Sequence, residues 1–141
     1  MTTTGMKTFD STVQTTNEWL GEIGRELGWD DRHKAYHAMR AVLHALRDRL
    51  PVENVAHLAS QLPMLVRGFF YEGWQPARTP VKEHTQGEFL VHVTEAFLLD
   101  PDAQSKEIAE AVFRVLARHI SSGEVDKIKS TLPKGIRELW S

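Results

Sequence analysis

The sequence predicts an all-α fold, a pseudo-twofold helical bundle built from two tandem four-helix repeats with a period of about 70 residues. Three observations lead to this class. Apolar residues recur at helical spacing, whereas no segment shows sustained period-two alternation or an Asn-Gly hairpin turn. Prolines and capping residues divide the chain into helix-sized segments. The chain also aligns with itself, without a gap, when it is shifted by 70 residues.

The self-alignment pairs "EWLGEIGRELGWD" with "EFLVHVTEAFLLD", and "AVLHALRDRLPVENVAHLASQLPMLVRGFF" with "AVFRVLARHISSGEVDKIKSTLPKGIRELW". The longer pair shares a Leu-Pro-x-x-x-Arg motif, which in the first copy is Leu62, Pro63 and Arg67. Two unrelated amphipathic segments would share a helical rhythm, but they would not keep one register across several helix boundaries. We therefore interpret the chain as a duplicated unit, neither half of which is expected to be stable alone.

The first predicted helix runs from about Ser11 to Leu27, because Val13, Leu20, Ile23 and Leu27 fall on one face. Gly28 follows the last apolar position and is well placed to adopt the left-handed conformation that ends a helix. Trp29 is then expected to fold back onto that end.

Asp30 is the predicted N-cap of the second helix, which continues to about Arg49. Pro51 predicts the start of a short third helix, and Pro63 predicts the start of a fourth that extends to Glu72. Gly73 is expected to end this fourth helix.

In the second copy, Asp100 and Pro101 predict an N-cap followed by proline at the first helical position. Ser121 and Glu124 have the spacing of a capping box, and Pro133 opens the last helix. The predicted organisation is a single domain at 11–141, with a first repeat at 11–73, a joint at 74–86, a second repeat at 87–140 and a flexible tail at 1–10. The two repeats are expected to pack through the helices that begin at Pro63 and Pro133.

Composition narrows the classes of function. The formal net charge of -2 predicts neither nucleic acid nor an anionic membrane as a partner. The chain has 0 Cys, so disulfides, thiolate nucleophiles and Cys-based zinc sites are excluded. Its N-terminus lacks the apolar core of a signal peptide, and no apolar run is long enough to span a membrane. The sequence therefore predicts a cytoplasmic protein.

The fourth helix carries Arg67 among apolar side chains on almost every side, which is typical of a buried helix. A buried guanidinium needs a partner, and arginine recurs at 137 in the same register. We expect a structural ion pair in each repeat, with carboxylates at 18/88 or 30/100. Anion binding by Arg67 and Arg137 is the alternative.

His33, His37 and His44 share one face of the second helix, opposite its apolar stripe, and are therefore expected to face water. His33 and His37, four residues apart, could chelate a divalent ion. Without a third converging ligand they are weak candidates, and a solvated face is the favoured interpretation; the sequence predicts no metal site.

Arg40 and Arg47 add positive charge to this ridge. Because Glu107 and Glu110 occupy the matching face of the second copy, the two faces suggest a possible homodimer.

The candidates for nucleophilic catalysis are serines such as Ser60 and Ser130, with histidines such as His57 and His119 as the base. Neither serine lies in a G-x-S-x-G turn, and each is expected to accept a backbone N–H near a helix start. Phosphate-binding and dinucleotide-binding glycine motifs are absent. The sequence therefore predicts no enzyme, no catalytic residue and no cofactor.

The segments "LRDRLPVENVAHLASQLPMLVRGFFYEGW", "GEFLVHV" and "SSGEVDKIKSTLPKGIRELW" resemble the prokaryotic domain of unknown function 2267 family. The resemblance covers nearly the whole chain after residue 10, and its most specific marks are the two Leu-Pro motifs and the segment at 70–74. It implies an all-helical, duplicated domain of small bacterial and archaeal proteins with no established activity, catalytic residue or cofactor.

Three classes of function remain at this point. The preferred one is a non-catalytic interaction or regulatory module with an unknown protein partner, because the aromatic-rich segment at the junction of the repeats could form a groove. The second is a small-ligand or metal binder that uses the seam between the repeats or the histidine ridge. The third, an unrecognised enzyme, has the least support because no nucleophile, base and orienting group occur together.

Overall fold

The structure is a computed structural model, and it describes residues 4–140. Within that range the chain forms eight α-helices and no strand, so the all-α prediction is confirmed. The helices are α1 (Lys7–Leu27), α2 (Arg32–Arg47), α3 (Val52–Ala59), α4 (Met64–Tyr71), α5 (Gln86–Glu95), α6 (Ser105–His119), α7 (Ser122–Thr131) and α8 (Lys134–Arg137), with 3-10 turns at Pro76–Arg78 and Glu138–Trp140. None of these helices is both long and apolar enough to cross a membrane.

The order of the helices follows the 70-residue register, since α3 and α4 begin 70 residues before α7 and α8. The duplication itself stays a prediction, because helix order alone does not establish that the two halves superimpose. Helix α1 begins at Lys7, four residues before its predicted start, and is much longer than α5, its counterpart. Residues 1–3 of the predicted tail lie outside the described residues.

The end of α1 confirms its predicted cap. Gly28 adopts a left-handed conformation with φ 71°, and the Trp29 N–H donates to the Gly24 carbonyl at 2.8 Å. The predicted cap of α2 was wrong by one residue. Asp31, not Asp30, accepts hydrogen bonds from the amides of His33 and Lys34, because the turn after Gly28 takes up one residue more.

The predicted start of the helix at Asp100 and Pro101 was also wrong, since α6 begins only at Ser105. Asp100 closes a turn instead: its Oδ1 accepts from the Asp102 amide at 3.1 Å, and its Oδ2 lies 2.7 Å from Lys34 Nζ on α2. These bonds hold the pKa of Asp100 below its usual value. The carboxylate therefore ties a loop of the second half to a helix of the first.

The N-terminus of α7 confirms half of the predicted capping box. Ser121 Oγ accepts from the Glu124 amide at 3.1 Å, as expected. The Glu124 carboxylate does not return to the backbone of Ser121, because it is buried and accepts from His57 Nδ1 on α3. The cap thus also joins α3 to α7.

One hydrophobic core runs through both halves. Its contacts between the halves are made mainly by α1 with α6 and by α2 with α5 and α6, whereas α4 packs on α1 and α2, and α8 packs on α5. The expectation that the halves pack through the helices at Pro63 and Pro133 was therefore wrong. Phe113 lies near the centre, fully buried between Phe89 and the stacked Trp140 ring at 4.2 Å.

Candidate functional site

Helix α4 is buried on one side only, which corrects the expectation of a helix enclosed on most sides. Val66 and Phe70 are fully buried, while Met64 and Leu65 are each 42% exposed. The reason is that α4 makes its main helix contacts with α1 and α2, which leaves Met64 and Leu65 on its open side. Two large apolar side chains are left facing solvent.

An apolar groove of about 710 Å³ lies along this open side, between α4 and the first half of α1. The α1 wall carries Phe9, Val13 and Leu20, which recur at helical spacing on one face. The opposite wall carries Met64, Leu65 and Phe69. Phe9 is 44% exposed, so both walls offer unburied apolar surface. Contiguous exposed apolar surface of this kind marks binding sites in soluble proteins.

Two threonines on α1 add methyl groups rather than free hydroxyls to the groove. Thr12 Oγ1 accepts a hydrogen bond from the Leu65 amide at 3.0 Å, at the first turn of α4. Thr16 Oγ1 donates to the Thr12 carbonyl at 2.7 Å. Both hydroxyls are therefore occupied, and the first of these bonds fixes the start of α4 against α1.

The far end of the groove is aromatic and charged. Tyr36 packs edge-on against Phe69 with ring centroids 5.2 Å apart. Glu72 lies at the rim and pairs with Arg40 on α2 at 3.4 Å, with both side chains well exposed. The aromatic segment at 69–74 contributes only in part, because Tyr71 and Trp74 pack together away from the groove lining, with the Trp74 indole N–H donating to Thr79 Oγ1.

Arg67 does not form the predicted ion pair. Its guanidinium is exposed and donates to the carbonyls of Ala59 and Leu62, at 2.9 and 3.0 Å. Arg137 repeats the second bond with the Leu132 carbonyl at 3.2 Å. Carbonyls at a helix C-terminus have no partner within the helix. Arg67 satisfies one such acceptor at the end of α3, and both arginines bond the carbonyl of the leucine in their Leu-Pro motif.

Two members of the predicted histidine ridge are not on a solvated face. Arg47 is buried and donates to the carbonyls of Phe70 and Glu72, at 2.8 and 2.7 Å. His44 is half-buried, and its Nε2–H donates to the Phe69 carbonyl at 2.6 Å. Burial lowers the pKa of His44 below its usual value, although this hydrogen bond opposes the shift. The C-terminus of α4 covers this part of α2, which the helical pattern of α2 alone did not indicate.

His33 and His37 are exposed, as predicted, and the structure brings them together. Their Nε2 atoms lie 3.1 Å apart and the two rings meet edge to face. Among the described residues, however, no group of three or more histidine and acidic side chains has the arrangement of a metal site.

The candidate catalytic residues are used for other contacts. Ser60 Oγ donates to the His57 carbonyl and Ser130 Oγ donates to the Lys127 carbonyl, so neither hydroxyl accepts the backbone N–H that was expected. His57 contacts Glu124, and His119 stacks on Trp19 with ring centroids 4.6 Å apart. Neither Ser60 nor Ser130 is hydrogen-bonded to a histidine ring among the described residues.

A charged network that the sequence did not predict joins α1 to α6. Glu26 accepts from Arg114 and Arg118, and Glu22 accepts from Arg118 and His119. The arginine bonds hold the pKa of Glu26 below its usual value. Burial alone would raise the pKa of Glu22, but its hydrogen bonds to His119 and Arg118 outweigh that effect and lower it. No local signal was available, because these partners lie far apart in the sequence.

Comparison with known proteins gives a family and no function. No curated protein matches the chain. The family model described as "Uncharacterized conserved protein (DUF2267)" matches residues 16–139. That range includes all of α2 to α8, whereas the first turns of α1, with Phe9, Thr12 and Val13 of the groove wall, lie before it. Since this match spans well over half of the sequence, the chain belongs to the DUF2267 family of uncharacterized conserved proteins.

Proposed function

We propose that this protein is a non-catalytic interaction module of the cytoplasm, and that it binds one amphipathic helix of a partner protein in the groove between α1 and α4. The observation that carries this proposal is the groove itself, with large apolar side chains of both walls exposed to solvent. Helix-in-groove recognition uses such a surface, since the apolar face of the incoming helix packs on the exposed apolar side chains of both walls.

The length of the groove supports a helix as the occupant. Its α1 wall extends from Phe9 to Leu20, a separation that corresponds to about 16 Å along a helix axis. That length accommodates about three helical turns, which would present apolar side chains at positions i, i+3 or i+4, and i+7. The stripe on α1 has the matching spacing.

The openness of the walls favours a helix over a small molecule. Sites for small ligands generally enclose most of the ligand surface. Here Phe9, Met64 and Leu65 remain more than 40% exposed, so a small ligand would keep much of its own surface in water. A helix needs only one face covered. Methionine also adapts its shape readily to different partners, and Met64 is an exposed residue of the groove wall.

The rim suggests the charge of the partner. Glu72 is paired with Arg40 only at 3.4 Å, and an exposed pair of this kind contributes about 0–1 kcal/mol. The carboxylate can therefore exchange this contact for a lysine or arginine on the bound helix at little cost. We propose a partner helix with three apolar anchors and a basic residue beyond the last of them.

A peptide-binding experiment with the full chain tests the proposal. The probe is a synthetic amphipathic peptide with leucines spaced three and four residues apart and a terminal lysine, compared with a peptide of the same composition in scrambled order. We expect fluorescence anisotropy to detect binding of the patterned peptide only. Leu65→Asp should weaken it about tenfold or more, because the new carboxylate would be buried at the interface.

Val91→Asp is the matched control, because Val91 is an apolar residue on α5 that is 53% exposed and does not line the groove. This variant should bind the patterned peptide as the unchanged protein does. Equal binding of patterned and scrambled peptides, or undiminished binding by Leu65→Asp, would overturn the proposal. Tight binding of a fatty acid without binding of the peptide would favour the small-ligand class instead.

A further inference from the structure

We propose that His33 and His37 together bind a divalent transition-metal ion through their Nε2 atoms, with water completing the coordination. This site is independent of the groove between α1 and α4. The chemical class of ligand is Cu²⁺, Ni²⁺ or Zn²⁺, the divalent ions that imidazole nitrogen prefers, rather than Mg²⁺ or Ca²⁺.

The distance between the two nitrogens carries the argument. Zinc–imidazole bonds are about 2.0–2.1 Å long, so two such bonds at a tetrahedral or right angle place their nitrogens about 2.9–3.4 Å apart. In the structure the Nε2 atoms are 3.1 Å apart. This contact is a hydrogen bond between the two rings, and a single ion can bridge nitrogens at this separation once the rings turn so that both lone pairs face it.

Helix α2 holds the two rings in this arrangement. His33 and His37 lie on consecutive turns, so their side chains project from the same face. The opposite face is fixed in the core by Ala35, Ala38 and Met39, which are almost fully buried. The Asp31 side chain caps the first turn by accepting from the amides of His33 and Lys34. A ligand pair on a rigid element loses less conformational entropy on binding than a pair on a loop.

The surrounding charges are compatible with a cation. Lys34, which lines the same pocket as the two histidines, is paired with Asp100 at 2.7 Å and lies over the Trp29 ring at 4.3 Å from its centroid. Glu95 lines the same pocket, of about 400 Å³, as the two histidines. Its carboxylate adds negative potential without being required as a ligand. Both imidazoles are exposed, so an ion can reach them without any opening of the fold.

The site belongs to the first half of the chain only. In the 70-residue register the positions of His33 and His37 are occupied by Ala103 and Glu107. With two protein ligands, the affinity should be lower than that of a closed structural zinc site with four. The order of affinity should follow the general preference of nitrogen ligands, with Cu²⁺ bound most tightly.

Isothermal titration of the full chain with NiCl₂ and with ZnCl₂ tests this proposal, using MgCl₂ as the negative ion. We expect one Ni²⁺ or Zn²⁺ per chain, and a loss of affinity of about tenfold or more in either His33→Gln or His37→Gln, because one ligand cannot chelate. His84→Gln, a change at another exposed histidine, should bind as the unchanged protein does.

Nitrogen NMR of the histidine rings provides a second measurement, because histidines that have only a structural role would show no change in these resonances when Zn²⁺ is added. On addition of Zn²⁺, the Nε2 resonances of both His33 and His37 should shift together, while those of His84 should not. Binding that survives in both single variants, or a shift at only one of the two rings, would overturn the proposal. Because both side chains are exposed, the glutamine variants should remain folded, which a thermal melt would verify.

Discussion

The surfaces around α4 and α8 differ although both helices follow a Leu-Pro motif in the same register. Around α4 the first half exposes Met64 and Leu65, and the corresponding residues beside α8 are Lys134 and Gly135. On the α1 side of the groove, Phe9 and Val13 correspond to Thr79 and Glu83. Every one of these apolar residues thus has a polar residue or glycine as its counterpart.

In the second half, α5 and α8, which correspond to the two walls of the groove, contact each other directly. Gln86 at the start of α5 donates from Nε2 to the Gly135 carbonyl at 2.8 Å, and a Cβ added to Gly135 would lie 3.4 Å from Gln86 Cβ. Because α5 begins at Gln86, it also lacks the first turns that form the groove wall in α1. The candidate site therefore lies where α1 is longer than α5 and where the first half carries larger apolar side chains than the second.

The largest expected effect concerns the dependence of the two halves on each other. A fragment of residues 1–80 should fail to fold cooperatively, because α1 and α2 bury much of their apolar surface against α5 and α6. Circular dichroism with thermal melting would measure this. A cooperative transition in the isolated monomeric fragment would contradict the shared core and would make each half a domain.

The next effect concerns Arg47, which has no basic counterpart because position 117 is alanine. Arg47→Met should reduce the free energy of unfolding by about 2–4 kcal/mol, since it removes the donors of two carbonyls at the end of α4. Urea unfolding would measure the loss.

Arg40→Met is the matched control for Arg47. Arg40 lies on the same helix but makes only an exposed pair with Glu72, so its replacement should change stability by about 0–1 kcal/mol. If both variants lost the same free energy, the two buried carbonyl bonds of Arg47 would not be the cause.

Local chemistry accounts for what the sequence predicted well. Gly28 ended α1, Ser121 capped α7, and Pro63 preceded α4, because each of these signals acts within a few residues of itself. The same reasoning placed His33 and His37 on one exposed face. Asp100 shows the limit of such local reasoning. An Asp-Pro pair favours a turn as well as a helix start, and here Asp100 lies in a turn and contacts Lys34.

Tertiary neighbours account for what the sequence did not predict. Met64 and Leu65 were expected to be buried because a helix with apolar residues on every side is usually enclosed, whereas both are exposed. Which sides of a helix are covered by other helices leaves no local signal in its sequence. Phe9, in the groove wall, fell within the expected flexible tail. Arg47 was placed on a solvated face because nothing in α2 indicates that the end of α4 lies above it.

A pair of glycine substitutions compares tight and open packing within the first half. Gly24→Ala should destabilise the protein by about 1–2 kcal/mol, because a Cβ there would lie 2.7 Å from the Trp29 carbonyl oxygen. Gly68→Ala should stabilise it by about 0.5–1 kcal/mol, since alanine favours a helix and nothing lies within 4 Å of the added Cβ. Thermal melts of both variants would test this, and an equal loss in both would show that Gly68 faces an occupied space.

The smallest expected effect is a pH dependence near neutral pH at His44, whose counterpart in the second half is Arg114. Burial, together with the charges of Arg47 and Arg40, lowers the pKa of His44 from its usual 6.5, while the Phe69 carbonyl and Asp48 oppose the shift. The unfolded chain therefore takes up this proton more readily. The resulting stability is present above about pH 6.5 and is lost as the pH falls through the lower pKa of the folded state. Urea midpoints should thus fall more between about pH 8 and about pH 5 in the unchanged protein than in His44→Gln. If the urea midpoints of the two proteins differ by the same amount at every pH in this range, the protonation of His44 does not affect stability and the prediction is wrong.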